Sequence, residues 1–226
     1  MCRSTNHAAP KLFCQWLMTL TENPPPKTKS NQQHSHVFTI GKRPSERNIL
    51  SHIDVLSSIG AEVRKATRGG DVTYHGPGQT VLYPIVGLRN LNIGVRRYVE
   101  GLEDVMVDTC EVFGVEAFGR VPEMTGTWVR DHDDPENPKK IGAVGVQISG
   151  GVTTHGLAFN LDPDLEYFKH IMMCGLPGKQ PTSLVEEIGK VDSVHRVIAS
   201  RAEVEAKLVQ SFVGRFGYED VSMVRE

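Results

Sequence analysis

Cys174 closes a short apolar segment, Ile171-Met172-Met173, and opens a turn, Gly175-Leu176-Pro177-Gly178-Lys179. A cysteine kept for packing usually sits on a periodic apolar face. This one sits at a break, where a side chain can be presented to a reactant. The chemistry it offers is nucleophilic, because the thiolate is the reactive form and a nearby cation is needed to hold it. Lys139, Lys140, Lys179, His75, His155 and His170 are the candidate cations. No Cys/His protease signature surrounds the residue, so a purely structural thiol stays open on this pattern alone. Cys2, Cys14 and Cys110 form no CxxC pair with it or with one another. Neither a zinc knuckle nor a disulfide framework is indicated, which suggests a reducing compartment. The histidines show no HxxxH or HxxEH spacing. His34 and His36 lie two apart, on one face of a strand entrance, without a third ligand, so no metal is expected.

A second chemical feature is Arg68-Gly69-Gly70-Asp71-Val72-Thr73-Tyr74-His75-Gly76-Pro77-Gly78-Gln79, in which five of twelve residues are Gly or Pro. A core strand would not read this way, since Gly and Pro weaken a ladder. Glycines at this density let backbone approach a ligand closely and offer its N–H groups. A tight turn between two strands is the plainer alternative. His75 and His155 are read as positioning residues rather than catalytic ones.

These residues need elements to place them. His36-Val37-Phe38-Thr39-Ile40-Gly41 reads as a strand, Ile49 to Ile59 as a short helix stopped by Gly60, and Glu62 to Thr67 as a strand feeding the glycine loop. Val81 to Val86 continues beyond the loop as a β-type run. The clearest helix spans Gly94 to Phe113, because Val95, Tyr98, Val99, Leu102, Val105, Met106, Cys110 and Phe113 recur at three- and four-residue steps. Cys110 lies on that stripe and reads as a buried small hydrophobe. Lys140 to Ser149 and Val152 to Leu161 form a hairpin about Gly150-Gly151. The acidic run Asp131 to Pro138 reads as a solvated hairpin tip, lacking the Gly and closing Glu of a calcium loop. Ser200-Arg201-Ala202-Glu203 is a capping box opening a last helix with Val204, Leu208, Phe212, Val213 and Phe216 inward and Gly217 as its stop. Strands, a helix, strands, then helices argue α+β rather than alternating βαβ units.

Composition sets the outer bounds. At 226 residues and a net charge of −2, the chain can bury a sizeable core and gives no electrostatic case for nucleic acid. No apolar run approaches a membrane span. Residues 1–35 are the least domain-like part, an N-terminal extension that is targeting or disordered in character, ahead of a single domain over 36–226. Up to Arg43 the charged residues are Arg3, Lys11, Lys27, Lys29, Lys42 and Arg43 against Glu22 alone, and Pro24-Pro25-Pro26 blocks regular structure. Leu12 to Met18 could form a short apolar helix. An acid-poor basic start resembles an organelle transit peptide, with mitochondrion favoured over plastid.

Four blocks taken together resemble the lipoyl(octanoyl) transferase family: Arg68 to Gln79, Lys140-Ile141-Gly142-Ala143-Val144-Gly145-Val146, Thr154-His155-Gly156-Leu157-Ala158-Phe159-Asn160 and Cys174-Gly175-Leu176-Pro177-Gly178. They stand in the family's order and span roughly residues 36–190. The resemblance implies a biotin/lipoate-ligase-like catalytic module, a mixed sheet packed by helices with a small C-terminal subdomain. It implies octanoyl transfer from octanoyl-acyl carrier protein to a lysine of lipoyl domains, those of 2-oxoacid dehydrogenase complexes and of the glycine cleavage H protein, as the first step of endogenous lipoylation. Cys174 would be the acyl-carrying nucleophile and Lys140 the lysine that activates it. Arg68, Gly69, Gly70, Asp71, Val72, Thr73, Tyr74 and His75, with Ala143, Val144, Gly145, Gly156, Leu157 and Ala158, would line the acyl pocket. No cofactor is implied, and no GxxxxGK[ST] phosphate loop is present. Backbone N–H groups near Gly76 or in the Lys140 strand would hold the oxyanion.

The chain departs from the family in its first third, where the expected strand and long helix are not legible, and after Asp131, where it is longer and more acidic. The rival on the same fold is an ATP-dependent lipoate or octanoate ligase, which uses a lysine matching Lys140 but no cysteine at 174. A non-catalytic acyl-binding protein is the rival of another class.

Overall fold

The computed structural model describes residues 17–19, 34–43, 46–131, 134–191, 200–218 and 222–224. In chain order its strands and helices are β1 (Leu17–Thr19), β2 (Val37–Ile40), α1 (Ile53–Ser58), β3 (Glu62–Lys65), β4 (Val72–His75), β5 (Gln79–Ile85), α2 (Val95–Val112), β6 (Ala117–Phe118), β7 (Thr127–Val129), β8 (Lys139–Ser149), β9 (Val152–Asn160), α3 (Leu184–Val191), α4 (Arg201–Phe216) and β10 (Ser222–Val224). Short 3-10 turns cover Glu46–Asn48, Leu165–His170 and Met173–Gly175. A seven-stranded sheet runs β10-β1-β5-β9-β8-β7-β6, and a three-stranded sheet runs β3-β2-β4. Parallel pairing occurs in both, at β1–β5 and at β2–β3. Among the described residues no helix is long and apolar enough to cross a membrane.

The long hairpin β8–β9 is the spine. Ser149 pairs directly with Val152, so the loop has two residues, Gly150 and Gly151, at φ of +60° and +89°. A two-residue turn with both residues left-handed matches strand twist and favours glycine. One face of this sheet carries α2 and α4. Tyr98, Leu102 and Met106 of α2 share one buried cluster with Ile141, Leu157 and Phe159 of the sheet and Val204, Leu208 and Phe212 of α4. Helix α4 starts on the expected capping box, with Ser200 and Glu203 bonding each other's backbone, and stops at Gly217 in the left-handed region. A second cluster, Phe38, Leu56, Tyr74, Phe168 and Met173 among its members, fills the small sheet. It sits under the turn that carries Cys174.

Several expectations need correction. The C-terminal helices are no separate small subdomain, because Val204, Leu208 and Phe212 are buried in the main core. Part of the glycine-rich stretch is a strand after all: Val72–His75 pairs antiparallel with β2, the glycines lying on either side of it. Helix α1 covers only Ile53–Ser58, with Leu56 as its one buried residue. The helix expected over 12–18 lies mostly outside the described residues. Leu17 and Met18 instead pair with Tyr83 and Pro84 in the main sheet, so the sheet takes a strand from ahead of residue 36. Residues 134–137 after β7 are exposed, and an Asp131–Lys139 ion pair at 2.7 Å closes the base of the loop.

Candidate active site

A cavity of about 700 Å³ lies between the inner ends of the two sheets, lined by residues of β2, β4, β5, β8 and β9 and by Lys140 and Cys174. Small residues make room for it. At Gly145 a Cβ would stand 2.9 Å from the Arg68 side chain and 3.2 Å from the Gly69 carbonyl. The loop before β4 can therefore lie against β8 only because β8 has no side chain there. That contact is fixed by the Gly69 N–H donating to the Val146 carbonyl at 2.8 Å. Arg68 is buried, its guanidinium donating to the Thr39 carbonyl at 2.6 Å and to Thr39 Oγ1 at 2.8 Å. Burial lowers its pKa to about 10, and the arginine acts as a brace between β2 and the glycine loop.

Lys140 is at the start of β8 and only 7% exposed. Its N–H donates to the Gln180 carbonyl at 2.8 Å and its carbonyl accepts from Thr182 N–H at 2.9 Å, which fixes the backbone on both sides. Its Nζ donates to the Thr125 carbonyl at 2.8 Å and lies 5.1 Å from the Trp128 ring centroid. It also lies 2.7 Å from Cys174 Sγ. Lys140 Nζ is thus held between a backbone carbonyl, an aromatic face and the cysteine sulfur, within hydrogen-bond distance of Sγ.

Cys174 is partly exposed and has φ +55° and ψ +17°, a conformation disfavoured for residues other than glycine. Such strain persists only where the surroundings over-determine it. Here Met172 N–H donates to the Asn48 carbonyl at 2.8 Å, Leu176 N–H to the Met173 carbonyl at 3.0 Å, and Ile49 bridges Ile171. Asn48 is buried and its amide donates to the Asp71 carboxylate, tying the cysteine turn to the glycine loop.

Of the residues expected to line the pocket, Arg68, Gly69, Gly70, Asp71, Val72, Thr73, His75, Ala143, Val144, Gly145, Gly156, Leu157 and Ala158 lie on the cavity. Tyr74 does not. Side chains alternate along β4, and Tyr74 is buried in the other direction against Phe38, Tyr167 and Phe168, with its hydroxyl 2.7 Å from His36 Nδ1. The Lys140 N–H is spent on Gln180, so it is no oxyanion donor. His155 contacts Thr67 Oγ1 at 3.1 Å and stacks edge-on to Tyr83.

Four contributors were not legible as site residues. His34 lines the cavity, with a buried Nε2 that bonds to none of the described residues. His75 Nδ1 lies 2.7 Å from Gln79 Oε1, Gln79 Nε2 donates to Asn160 Oδ1 at 3.0 Å, and Asn160 Nδ2 donates to the Thr182 carbonyl at 3.0 Å. Thr182 in turn holds Lys140. Burial drives the His75 pKa down to about 3 and that of His34 down to about 4, so both are neutral near pH 7. Gln79 and Asn160 stand inside the glycine-rich and Thr154–Asn160 blocks, and an amide opening one apolar strand with an amide closing another was the available signal.

A mixed sheet walling a cavity, with a lysine and a cysteine side by side on its lining, is the layout of a catalytic module. The chain belongs to the lipoyl protein ligase A/B catalytic domain family, whose pattern matches residues 12–212. It is 42% identical over 196 residues to the mitochondrial octanoyltransferase LIP2 of Arabidopsis thaliana, covering 87% of this chain and 78% of that one. It is 44% identical over 158 residues to an octanoyltransferase of Bacteroides fragilis, covering 70% of each. A crystal structure of lipoate-protein ligase A bound with ATP shares the fold, with a TM-score of 0.53 at 15% identity over 82% of this chain and 70% of that one.

Proposed function

We propose that this octanoyltransferase works through a Cys174 thioester, taking octanoyl from octanoyl-acyl carrier protein and giving it to a lysine of a lipoyl domain. The observation that carries the reading is the 2.7 Å separation of Lys140 Nζ and Cys174 Sγ on the wall of a cavity of about 700 Å³. The thiolate attacks the donor's thioester carbon, the new C–S bond forms, and the donor's C–S bond breaks. Thioester replaces thioester, so the step needs no external energy source. Protonated Lys140 gives its proton to the departing donor sulfur. The neutral amine of the acceptor lysine then attacks the acyl carbon, Lys140 removes a proton from that nitrogen, and Cys174 leaves as thiolate. The lysine ends protonated, as it began.

Similarity to octanoyltransferases at above 40% identity, against 15% to a ligase bound with ATP, favours this route over ATP-dependent ligation. The name of the Arabidopsis relative supports a mitochondrial address. Purified protein given octanoyl-acyl carrier protein and a lipoyl domain is expected to octanoylate that domain without ATP, Cys110→Ala to retain the activity and Cys174→Ala to lose it. Transfer that requires free octanoate and ATP, and survives Cys174→Ala, would favour the ligase.

A further inference from the structure

Glu103 is an acid on the buried side of α2. It lies four residues after Val99 and three before Met106, and is 3% exposed. A carboxylate so placed requires compensation. It has it from one loop. Glu103 Oε2 accepts the Arg120 N–H at 2.8 Å and Oε1 accepts the Gly126 N–H at 2.6 Å, while the Glu103 carbonyl accepts Thr127 Oγ1 at 3.2 Å. That loop is strained, with Arg120 at φ +60°, Glu123 at +65° and Gly126 at +126°. It carries the Thr125 carbonyl that accepts Lys140 Nζ. At Gly126 a Cβ would fall 2.5 Å from the Gly142 carbonyl, 2.6 Å from Lys140 Cε and 3.0 Å from its Nζ, so the turn is moulded to the β8 backbone and to the lysine together.

We infer that Glu103 is a positioning residue for the Lys140–Cys174 pair, clamping the 120–126 loop so that its Thr125 carbonyl and Gly126 backbone hold the lysine against the sulfur. This rests on the reading of Lys140 and Cys174 given above. Glu103 touches no substrate. Burial raises the Glu103 pKa, and the two N–H bonds and Lys140 oppose that rise. Other charged groups around it are Asp104 on its own helix and the Arg120 side chain, which is turned away onto Asp104. Around the sulfur, Lys140 is the facing charge; Glu62, Asp71 and Glu123, the cations Arg43, Arg64, Lys65 and Arg68, and His34, His75 and His155 share the cavity lining.

Glu103→Gln removes the charge and leaves one acceptor for two N–H donors. Alkylation of Cys174 by iodoacetamide, read on its own peptide by mass spectrometry from pH 5 to 10, reports the population of thiolate. The rate at pH 7 is expected to fall roughly three- to tenfold in Glu103→Gln and its profile to move to higher pH, Glu103→Asp lying between that variant and the parent. Lys140→Met is the reference. A cooperative melt for Glu103→Gln with an unmoved profile, where Lys140→Met is moved, overturns the inference and leaves the Lys140–Cys174 reading standing. An unmoved Lys140→Met overturns both. Should Glu103→Gln fail to fold, Glu103→Asp carries the test, since it keeps the charge and shortens the reach to the Arg120 and Gly126 N–H groups; a folded Glu103→Asp with the parental profile overturns the inference.

Discussion

Cys110 and Cys174 carry the same thiol into opposite surroundings. Cys110 is fully buried on α2, and burial pushes its thiol well above the ordinary range. Cys174 is partly exposed with an ammonium 2.7 Å from its sulfur. Iodoacetamide is therefore expected to label Cys174 and spare Cys110 in the folded protein, as peptide mapping would show. Lys140→Met should slow Cys174 labelling at pH 7 by roughly tenfold with little change in the melting temperature. Equal labelling of both cysteines would contradict the assignment. The contrast between the two was legible, since periodicity put Cys110 on a packed face and a break put Cys174 on a turn. Which cation faces Cys174 was not derivable from spacing, because the lysine lies 34 residues away and only the resemblance singled it out. His34 was not singled out as a cavity residue for the same reason. Its neighbour in space is His75, 5.7 Å away between ring centroids, and no local pattern reports such a contact.

At the scale of elements, α2, the β8–β9 hairpin and α4 were readable because their determinants are local: a 3.6-residue stripe, a Gly-Gly turn and a capping box. Strand order was not, since β5–β9 and β1–β5 pair residues far apart in sequence. Helix α4 tests both kinds of claim. Ser200→Ala removes one cap bond, and denaturant melts should show a loss of about 1 kcal/mol. Leu208→Ala empties a buried position in the cluster shared with α2 and the sheet, and should lose about 3 kcal/mol within one cooperative transition. A separate low-stability transition confined to the C-terminal helices would restore the idea of a subdomain.

Over the whole molecule, neutral buried histidines link stability to pH. His34 and His75 fall from 6.5 to about 4 and about 3 on folding, each mainly by desolvation. Below pH 6.5 the unfolded chain binds protons that the native chain refuses, so stability is greatest above that value and declines as pH falls toward 4. Urea midpoints are expected to drop between pH 7.5 and pH 5, and to drop less in His75→Gln. An identical decline in that variant would assign the pH dependence to other groups. The same network, running from His75 through Gln79, Asn160 and Thr182, ends at the Lys140 backbone, so core polarity and the reactive pair belong to one assembly. The most direct measurement is the intact mass of the protein after mixing with octanoyl-acyl carrier protein in the absence of an acceptor domain. The account predicts a gain of one octanoyl group, labile to hydroxylamine and mapped to the Cys174 peptide. A protein that transfers octanoyl yet never carries it, or carries it on another residue, would contradict it.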